Sequence, residues 1–353
     1  MTNFDGKFYL PTDAGFEEAA MGRIFNGRRP DRRPDAVLYA ESDQDLIQAV
    51  KLAKEKDWQI AIRSGGHSWA AWSVREGSLL IDLSKLQEVS FDEATGIAKA
   101  RPAVQGGMVL DPWLAERGRF FNGGHCPPVG IGGFLLQGGQ GWCARGWGWA
   151  AESVVAVDVL TAEGEIVRAD ATQNQDLYYA ARGAGPSFPG IVTNFYLQTR
   201  PRFKHVGHTV QLFDLEHFEE VMRWMYSVHN DIHQDVEIVI VSMTPPAPEG
   251  QEAKRVLVVS GVALTESQEA SEEASKLFLT NPILDKAIVS KFAKTSTLAE
   301  QREDQIRANP EGWRYFVDNI WVDGDTEEII QRIKPLFVDL PEPEGFTIWF
   351  SMG

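Results

Sequence analysis

At 353 residues, with 43% apolar side chains and 11 tryptophans, the chain is long enough to form two folded domains and is neither fibrous nor disordered. Its formal net charge of −16 argues against nucleic acid or an anionic membrane as the main partner, because both require a basic surface. The sequence shows no secretory signal and no transmembrane stretch, so a cytoplasmic location is expected. Its two cysteines make no disulfide framework, although a Cys126–Cys143 bond stays open.

The first regular elements form a strand–helix–strand unit. Residues 36–40 predict a strand, and Ser42 with Asp45 three positions later is typical of the capping box that begins a helix. Apolar side chains then recur at helical spacing up to residue 53. Residues 59–63 predict a second strand that runs directly into a glycine turn. This order indicates an α/β domain with a ligand at the strand ends.

The remaining pattern predicts a second domain. Strands are expected at 79–83, 97–101, 154–160 and 165–168, the last two forming a hairpin. After about residue 202 the glycines thin out, and amphipathic helices are expected at 215–229, 266–279 and 327–336, the last with Thr326 as N-cap. We therefore predict domains at 33–203 and 204–353, the second of class α+β, with 245–250 as a loop inside it.

Two glycine-rich loops each carry one chemically versatile side chain. His67 lies in the first loop, residues 63–69, and Cys126 lies in the second, residues 123–130. Residues 123–148 contain ten glycines interleaved with aromatic and apolar side chains, unlike a flexible Gly/Ser linker. Successive backbone N–H groups in such turns form concave sites suited to a pyrophosphate. The two loops therefore predict a phosphate-bearing ligand that both of them contact.

Other interpretations of these loops are weaker. Residues 139–144 match the G-x-G-x-x-A dinucleotide fingerprint, with Asp158 near the position of the ribose-binding acid, but no apolar strand precedes them. The His125–Cys126 pair has no second pair at zinc spacing, so no metal is expected. His67 or Cys126 alone would more often be structural. The hypothesis rests on finding both in the two most glycine-rich loops of one α/β domain.

Four ordered motifs carry a family resemblance. They are Arg-Ser-Gly-Gly-His-Ser at 63–68, Cys-Pro-Pro-Val-Gly-Ile-Gly-Gly at 126–133, Gly-Gly-Gln-Gly at 138–141 and residues 183–193. Together they resemble the berberine bridge enzyme-like FAD-linked oxidases of the vanillyl alcohol oxidase/para-cresol methylhydroxylase (PCMH) superfamily. The resemblance implies an α+β, two-domain fold: a PCMH-type FAD-binding domain of two α/β subdomains around the flavin, and an antiparallel-sheet substrate domain covered by helices.

The resemblance also implies a set of flavin contacts. In bicovalent members, the histidine matching His67 bonds to the flavin 8α-methyl, and the cysteine matching Cys126 bonds to flavin C6. The other cofactor-binding positions that it implies are Arg63, Ser64, Gly65, Gly66, Ser68, Trp69, Val129, Gly130, Gly133, Gly138, Gly139, Gly141, Gly190, Ile191 and Val192.

The implied reaction is hydride transfer from a small alcohol, amine or sugar-like substrate to the flavin, which O2 reoxidises to give H2O2. The small Val129, three residues after Cys126, is expected to admit oxygen. Relatives carry a further C-terminal segment with a Tyr-x-Asn motif, so this chain is expected to be truncated, and an inactive flavin-binding remnant or a noncovalent flavin reductase or dehydrogenase are the alternatives. Glu237, Tyr315 and Asp318 are eligible as catalytic base, and none is assigned.

Overall fold

The computed structural model describes residues 4–245, 250 and 252–351. The strands in these ranges are β1 (Lys7–Tyr9), β2 (Ala36–Tyr39), β3 (Gln59–Arg63), β4 (Ser78–Asp82), β5 (Val89–Asp92), β6 (Ile97–Ala100), β7 (Arg119–Phe120), β8 (Val154–Leu160), β9 (Ile166–Asp170), β10 (Ile191–Gln198), β11 (Arg200–Pro201), β12 (His205–Asp214), β13 (Val236–Met243), β14 (Val256–Thr265), β15 (Val289–Ser296) and β16 (Thr347–Phe350). The α-helices there are α1 (Phe16–Met21), α2 (Asp43–Lys56), α3 (Asp111–Ala115), α4 (Ile131–Leu136), α5 (Ala144–Trp147), α6 (Gln175–Ala180), α7 (Phe218–Val228), α8 (Gln268–Ser275), α9 (Leu298–Ala308) and α10 (Thr326–Val338).

The chain divides into two compact units. The first contains residues 1–142, 149–202 and 302–317, and the second contains 143–148, 203–301 and 318–353. The α+β fold class is confirmed, because the sheets are mixed or antiparallel and helices pack against them. The domain bounds 33–203 and 204–353 stay a prediction. No helix in the described ranges is long and apolar enough to cross a bilayer.

The first sheet of the first unit positions the His67 loop. Its strand order is β1-β2-β4-β3, with β2, β4 and β3 parallel, so β4 lies between the two strands of the predicted strand–helix–strand unit. Alternation of side chains along the strands gives each face its own core. Leu38 and Ile81 join the cluster that contains α2 residues, whereas Val37 and Leu80 join the cluster that contains α1 residues.

The second sheet of the first unit carries the strands that follow. It is antiparallel, in the order β5-β6-β10-β8-β9. Its buried residues, such as Val157 and Phe195, form one core with Leu135 of α4 and Tyr178 of α6. The predicted strands at 59–63 and 154–160 are confirmed to the residue, and the other predicted strands of this unit shift by one or two residues at an end.

The second unit is an antiparallel sheet in the order β15-β12-β14-β13-β16. Side chains from one face of this sheet, such as Phe213 and Ile240, form a core with Met225 of α7, Ala274 of α8 and Ile330 of α10. The helices predicted at 215–229 and 266–279 are confirmed, although each contains a 3-10 segment, Leu215–His217 and Lys276–Thr280. The predicted loop at 245–250 falls largely on residues 246–249, outside the described ranges.

Two predicted helix caps are wrong in detail. Ser42 does cap α2, since its side chain accepts the Asp45 N–H at 3.1 Å. The carboxylate of Asp45 does not complete the box, because it accepts the backbone N–H groups of Asp5, Gly6 and Glu41 instead. The N-cap of α10 is Asp325 and not Thr326, because the Asp325 carboxylate accepts the Glu328 N–H at 3.1 Å. Sequence pattern locates these helix starts to within one residue and does not identify distant partners.

A buried ion-pair group joins the carboxyl ends of β3 and β4. Arg63 and Asp82 are register partners at those ends, and Arg63 Nε lies 2.5 Å from Asp82 Oδ2. Both side chains are fully buried. Arg23 lies 2.6 Å from Asp82 Oδ1, and Asp82 also accepts the Ser84 N–H at 2.8 Å. The Asp82 carboxylate therefore compensates the charges of both Arg63 and Arg23 at the start of the His67 loop.

Asp82→Asn is expected to lower the free energy of unfolding by about 3 kcal/mol or more, because breaking a buried ion pair leaves its partner uncompensated. Chemical denaturation measures this change. Glu327→Gln is the control, because the Arg223–Glu327 pair is exposed and its loss should hardly move the unfolding midpoint. Equal shifts for the two variants would contradict the role given to Asp82.

Candidate flavin site

The two glycine loops meet backbone to backbone. A Cβ on Gly65 would lie 2.6 Å from the Gly130 nitrogen, and a Cβ on Gly130 would lie 2.9 Å from the Gly65 nitrogen. Real side chains essentially never make contacts this short, so both positions require glycine. Residues 130–132 are fixed in turn by backbone bonds, since Ile131 donates to Val104 at 2.9 Å and Gly132 donates to Pro102 at 2.8 Å. Chain segments sixty residues apart thus form one continuous surface.

This surface lines a cavity of about 880 Å³ within the first unit. Fourteen of the seventeen predicted cofactor-binding residues border it: Arg63, Ser64, Gly65, Gly66, His67, Ser68, Trp69, Cys126, Val129, Gly130, Gly133, Gly139, Gly190 and Ile191. The volume falls in the range of small-molecule and cofactor sites. The structure therefore brings His67 and Cys126 to the same cavity.

The three other predicted residues do not border the cavity. Gly138 forms a turn with φ of +95° over Trp149, and a Cβ on Gly141 would lie 1.9 Å from the Asn122 carbonyl oxygen. Val192 is buried in the core of the second sheet. Each serves folding or close backbone packing beside the cavity. Arg63 borders the cavity, but its guanidinium binds Asp82 and the carbonyls of Ala19 and Ala20.

His67 is held as a neutral imidazole. Its ring stacks on Phe25 with the centroids 4.4 Å apart. Burial, and then the nearby Arg23 guanidinium, lower the pKa of His67 to about 4. Both causes disfavour the charged form, so the ring keeps an available lone pair at neutral pH. A neutral imidazole is the form that can act as a nucleophile.

Cys126 is also held in its neutral form, which for a thiol is the less reactive one. It is half-buried and forms no disulfide among the described residues. Burial raises the pKa of its thiol, so the thiol form dominates at neutral pH. The turn after it is closed by the Val129 N–H, which donates to the Cys126 carbonyl at 3.3 Å. At neutral pH, His67 is therefore in the form that can act as a nucleophile, whereas Cys126 is mostly in its less reactive thiol form.

Part of the cavity lining is apolar. This part comes from α2 and β3 and from residues 160–162 and 186–191, and it includes Val50, Trp58, Ile60 and Phe188, with Lys54 also in the lining. The glycine loops form another part of the lining. No atom outside the immediate chain lies within 4 Å of a Cβ built on Gly133, which faces open space there. An apolar slot joined to a glycine cradle fits the flat rings and pyrophosphate of FAD.

Two lining residues lie outside the predicted FAD-binding segment 33–203. Phe25 comes before it, and Asn309 comes after it. Tyr315 also belongs to this unit, and its ring stacks on Trp69 with the centroids 4.5 Å apart. Burial, and then the negative charge of the Cys126 thiolate, raise the pKa of Tyr315. No motif marks these residues, because their positions depend on contacts between distant segments.

The structure identifies none of Glu237, Tyr315 and Asp318 as the catalytic base. Tyr315 donates its hydroxyl to the Pro310 carbonyl at 2.7 Å, and its raised pKa leaves little tyrosinate at neutral pH to accept a proton. Glu237, in the second unit, accepts the Cys143 N–H at 3.1 Å. Asp318 is exposed and accepts the Asn319 N–H at 2.9 Å. The catalytic base stays open.

The dinucleotide fingerprint at 139–144 has the wrong context. The element before it is helix α4, not a strand. Asp158 binds Arg168 at 2.6 Å and also accepts hydrogen bonds from Asn194 and Tyr196. The strand that a dinucleotide fingerprint requires before its glycines does not precede this match, and the Asp158 carboxylate binds protein groups.

Gly65→Ala is expected to lower the free energy of unfolding by about 1–3 kcal/mol, since the new methyl overlaps backbone. Gly133→Ala is the matched control, and it should leave stability unchanged or slightly higher because its Cβ enters open space. If the cavity holds flavin at that point, Gly133→Ala should nevertheless reduce bound FAD. Denaturant midpoints measure the change in stability, and the visible absorbance of protein-bound flavin measures the change in FAD binding. Equal destabilisation by the two variants would contradict the packing of the loops.

Comparison with known proteins identifies the family. Residues 34–170 match a family described as an FAD binding domain. FAD-linked oxidoreductase nodO of Hypoxylon pulicicidum is 35% identical over 335 residues, covering 95% of this chain and 73% of that protein. Xylooligosaccharide oxidase of Thermothelomyces thermophilus is 36% identical over 177 residues, covering 50% of this chain and 35% of that protein.

Solved structures agree in fold. BBE-like 1 of Physcomitrella patens superposes with a TM-score of 0.70 at 25% identity, covering 81% of this chain and 59% of that one. The chain thus spans less than two thirds of that solved protein. Because sequence identity with nodO extends over nearly the whole chain, the family follows from sequence as well as fold. The chain belongs to the berberine bridge enzyme-like FAD-linked oxidases.

Proposed function

We propose that this protein binds FAD covalently through His67 and Cys126 and oxidises a small alcohol, amine or sugar-like substrate, with O2 as electron acceptor and H2O2 as product. The observation that carries the proposal is the shared cavity, which both loops line. The names of relatives as oxidoreductases and as a xylooligosaccharide oxidase support the reaction class. Activity and substrate class are proposed for the protein as a whole, because the chain spans only part of its relatives.

FAD, when bound, supplies two-electron chemistry by accepting hydride. The protein's own residues hold it and exclude water. The glycine loops would take the pyrophosphate and ribityl chain, and the apolar slot at Trp58 and Phe188 would take the adenine. His67 and Cys126 would contact the ring itself. Two bonds to one ring would fix its position against the substrate.

Each attachment balances as one oxidation by dioxygen. The N–H of His67 and a C–H of the 8α-methyl would be replaced by an N–C bond. The S–H of Cys126 and the C–H at C6 would be replaced by an S–C bond. In each case two protons and two electrons would pass to O2 and give H2O2. No other oxidant is required.

Attachment at the two residues should differ in pH dependence. In Cys126→Ala, attachment through His67 should be nearly flat from pH 6 to 8, because the pKa of His67 is about 4 and the ring stays neutral. In His67→Ala, attachment through Cys126 should rise up to about tenfold per pH unit, because thiolate is the reactive form and burial raises the pKa of the thiol.

Flavin-free protein mixed with FAD, followed by acid precipitation at timed intervals, measures both rates. His67→Ala/Cys126→Ala is the control and should release all flavin. A wild-type protein that releases all its flavin in acid would overturn covalent attachment and favour a noncovalent reductase or dehydrogenase. Turnover without H2O2 would exclude an oxidase, and no turnover with any hydroxyl or amine substrate would indicate a flavin-binding remnant.

Val129 is proposed to admit oxygen to the ring. Its backbone is fixed on both sides, since its N–H donates to Cys126 and its carbonyl accepts the Gly106 N–H at 3.0 Å. Val129→Ile should slow reoxidation of the photoreduced enzyme by O2 about tenfold or more, because the extra methyl enters the cavity beside Cys126.

Stopped-flow mixing of the reduced enzyme with oxygenated buffer gives the rate. Val50→Ile, the same substitution in the apolar part of the cavity lining, is the control and should leave the rate of reoxidation by O2 unchanged. Equal rates for Val129→Ile and wild type would remove Val129 from oxygen control.

A further inference from the structure

A segment before the matched FAD-binding domain runs along the His67 loop. Arg23 Nη2 donates to the Ser64 carbonyl at 3.2 Å, and the Phe25 N–H donates to the Gly66 carbonyl at 3.1 Å. Asn26 Nδ2 donates to the Trp69 carbonyl at 2.8 Å. Residues 23–26 therefore contact the loop at three successive points on both sides of His67. The match to the FAD-binding domain begins only at residue 34.

Asn26 also holds a second segment, residues 312–315. Its Nδ2 donates to the Tyr315 carbonyl and its Oδ1 accepts the Tyr315 N–H, both at 2.9 Å. Backbone bonds on either side reinforce the pair, because Gly27 donates to Trp313 at 2.7 Å and Gly312 donates to Phe25 at 3.0 Å. The Asn26 side chain is fully buried. The Asn26 amide thus connects the His67 loop, through Trp69, to Tyr315, which lies 289 residues after Asn26 in the sequence.

A stack of four rings follows from this connection. His67 lies on Phe25 at 4.4 Å, Phe25 on Tyr315 at 5.8 Å, and Tyr315 on Trp69 at 4.5 Å, with interplanar angles of 26°, 18° and 17°. The backbone groups that Asn26 binds belong to Trp69 and Tyr315, the far end of the stack. A shift of Trp69 or Tyr315 would therefore move the Phe25 ring, on which the His67 ring stacks.

We propose that Asn26, acting through Phe25 and Tyr315, is a positioning residue that sets the His67 ring for covalent bond formation with the flavin. The inference rests on the proposed covalent attachment at His67. Bond formation requires a near-attack geometry, and a misplacement of about 1 Å can cost about 10²-fold in rate. Reversible FAD binding depends mainly on the glycine cradle and the apolar slot, which Asn26 does not line. Attachment and binding should therefore respond differently to loss of Asn26.

The test uses Asn26→Leu, which keeps the side-chain shape and removes all of its hydrogen bonds. In a Cys126→Ala background, only the His67 bond can form. We expect reversible FAD affinity to change by less than threefold and the rate of acid-stable attachment to fall at least tenfold. Tyr315→Phe keeps the ring and the backbone bonds, and it should retain the parent rate.

Asn281→Leu is the matched control. Asn281 is a buried asparagine of the second unit that donates to Gln211 at 2.9 Å and accepts the Ile283 N–H at 3.2 Å. Its loss should lower stability without changing the attachment rate. Phe25→Leu leaves the Asn26 hydrogen bonds in place and removes the ring that stacks on His67. It should also slow attachment at saturating FAD, a condition needed because Phe25 lines the cavity, and it is used where Asn26→Leu does not fold.

The outcomes separate the two proposals. An unchanged attachment rate in Asn26→Leu or in Phe25→Leu, with acid-stable flavin in the parent, would overturn the positioning role and leave covalent attachment intact. Equal loss of reversible binding and of attachment would also overturn it, because that pattern indicates a general structural role. A parent that forms no acid-stable flavin would overturn both.

Discussion

The contact between Gly65 and Gly130 is the constraint on which the site depends. Each backbone occupies the space that a Cβ on the other would need, so the His67 loop and the Cys126 loop can meet only as glycine on glycine. This contact places the two candidate attachment side chains, His67 and Cys126, on one cavity even though they are 59 positions apart in sequence. The first loop is delivered by β3, and the second begins α4.

Next to the His67 loop, ion pairs and aromatic stacking restrain the conformation that glycine alone would leave flexible. The Asp82 carboxylate compensates Arg63 and Arg23, and the same Arg23 contributes to the low pKa of His67. The Arg23 guanidinium therefore has two effects. It pairs with Asp82 at the end of β4, and it disfavours the protonated form of His67. Glycine gives the loops their close approach, and the residues around them provide the rigidity that glycine lacks.

Much of this arrangement could be predicted from local sequence, and the rest could not. The strands at 59–63 and 154–160 follow from apolar runs bounded by turns, and the two loops follow from glycine spacing. Asn26 and Tyr315 carry no such signal, because their roles arise from hydrogen bonds across 43 and 289 residues. Gly138, Gly141 and Val192 resemble ligand contacts in sequence but pack against protein, and only their neighbours in space reveal this.

Covalent attachment of FAD is tested by the intact mass of the purified wild-type chain together with its visible spectrum after acid denaturation. We expect the mass of the chain plus one FAD, and flavin absorbance that stays with the precipitated protein. Loss of the added mass in His67→Ala/Cys126→Ala would locate the bonds. A wild-type chain with the mass of the polypeptide alone, and with all flavin in the supernatant, would contradict covalent attachment.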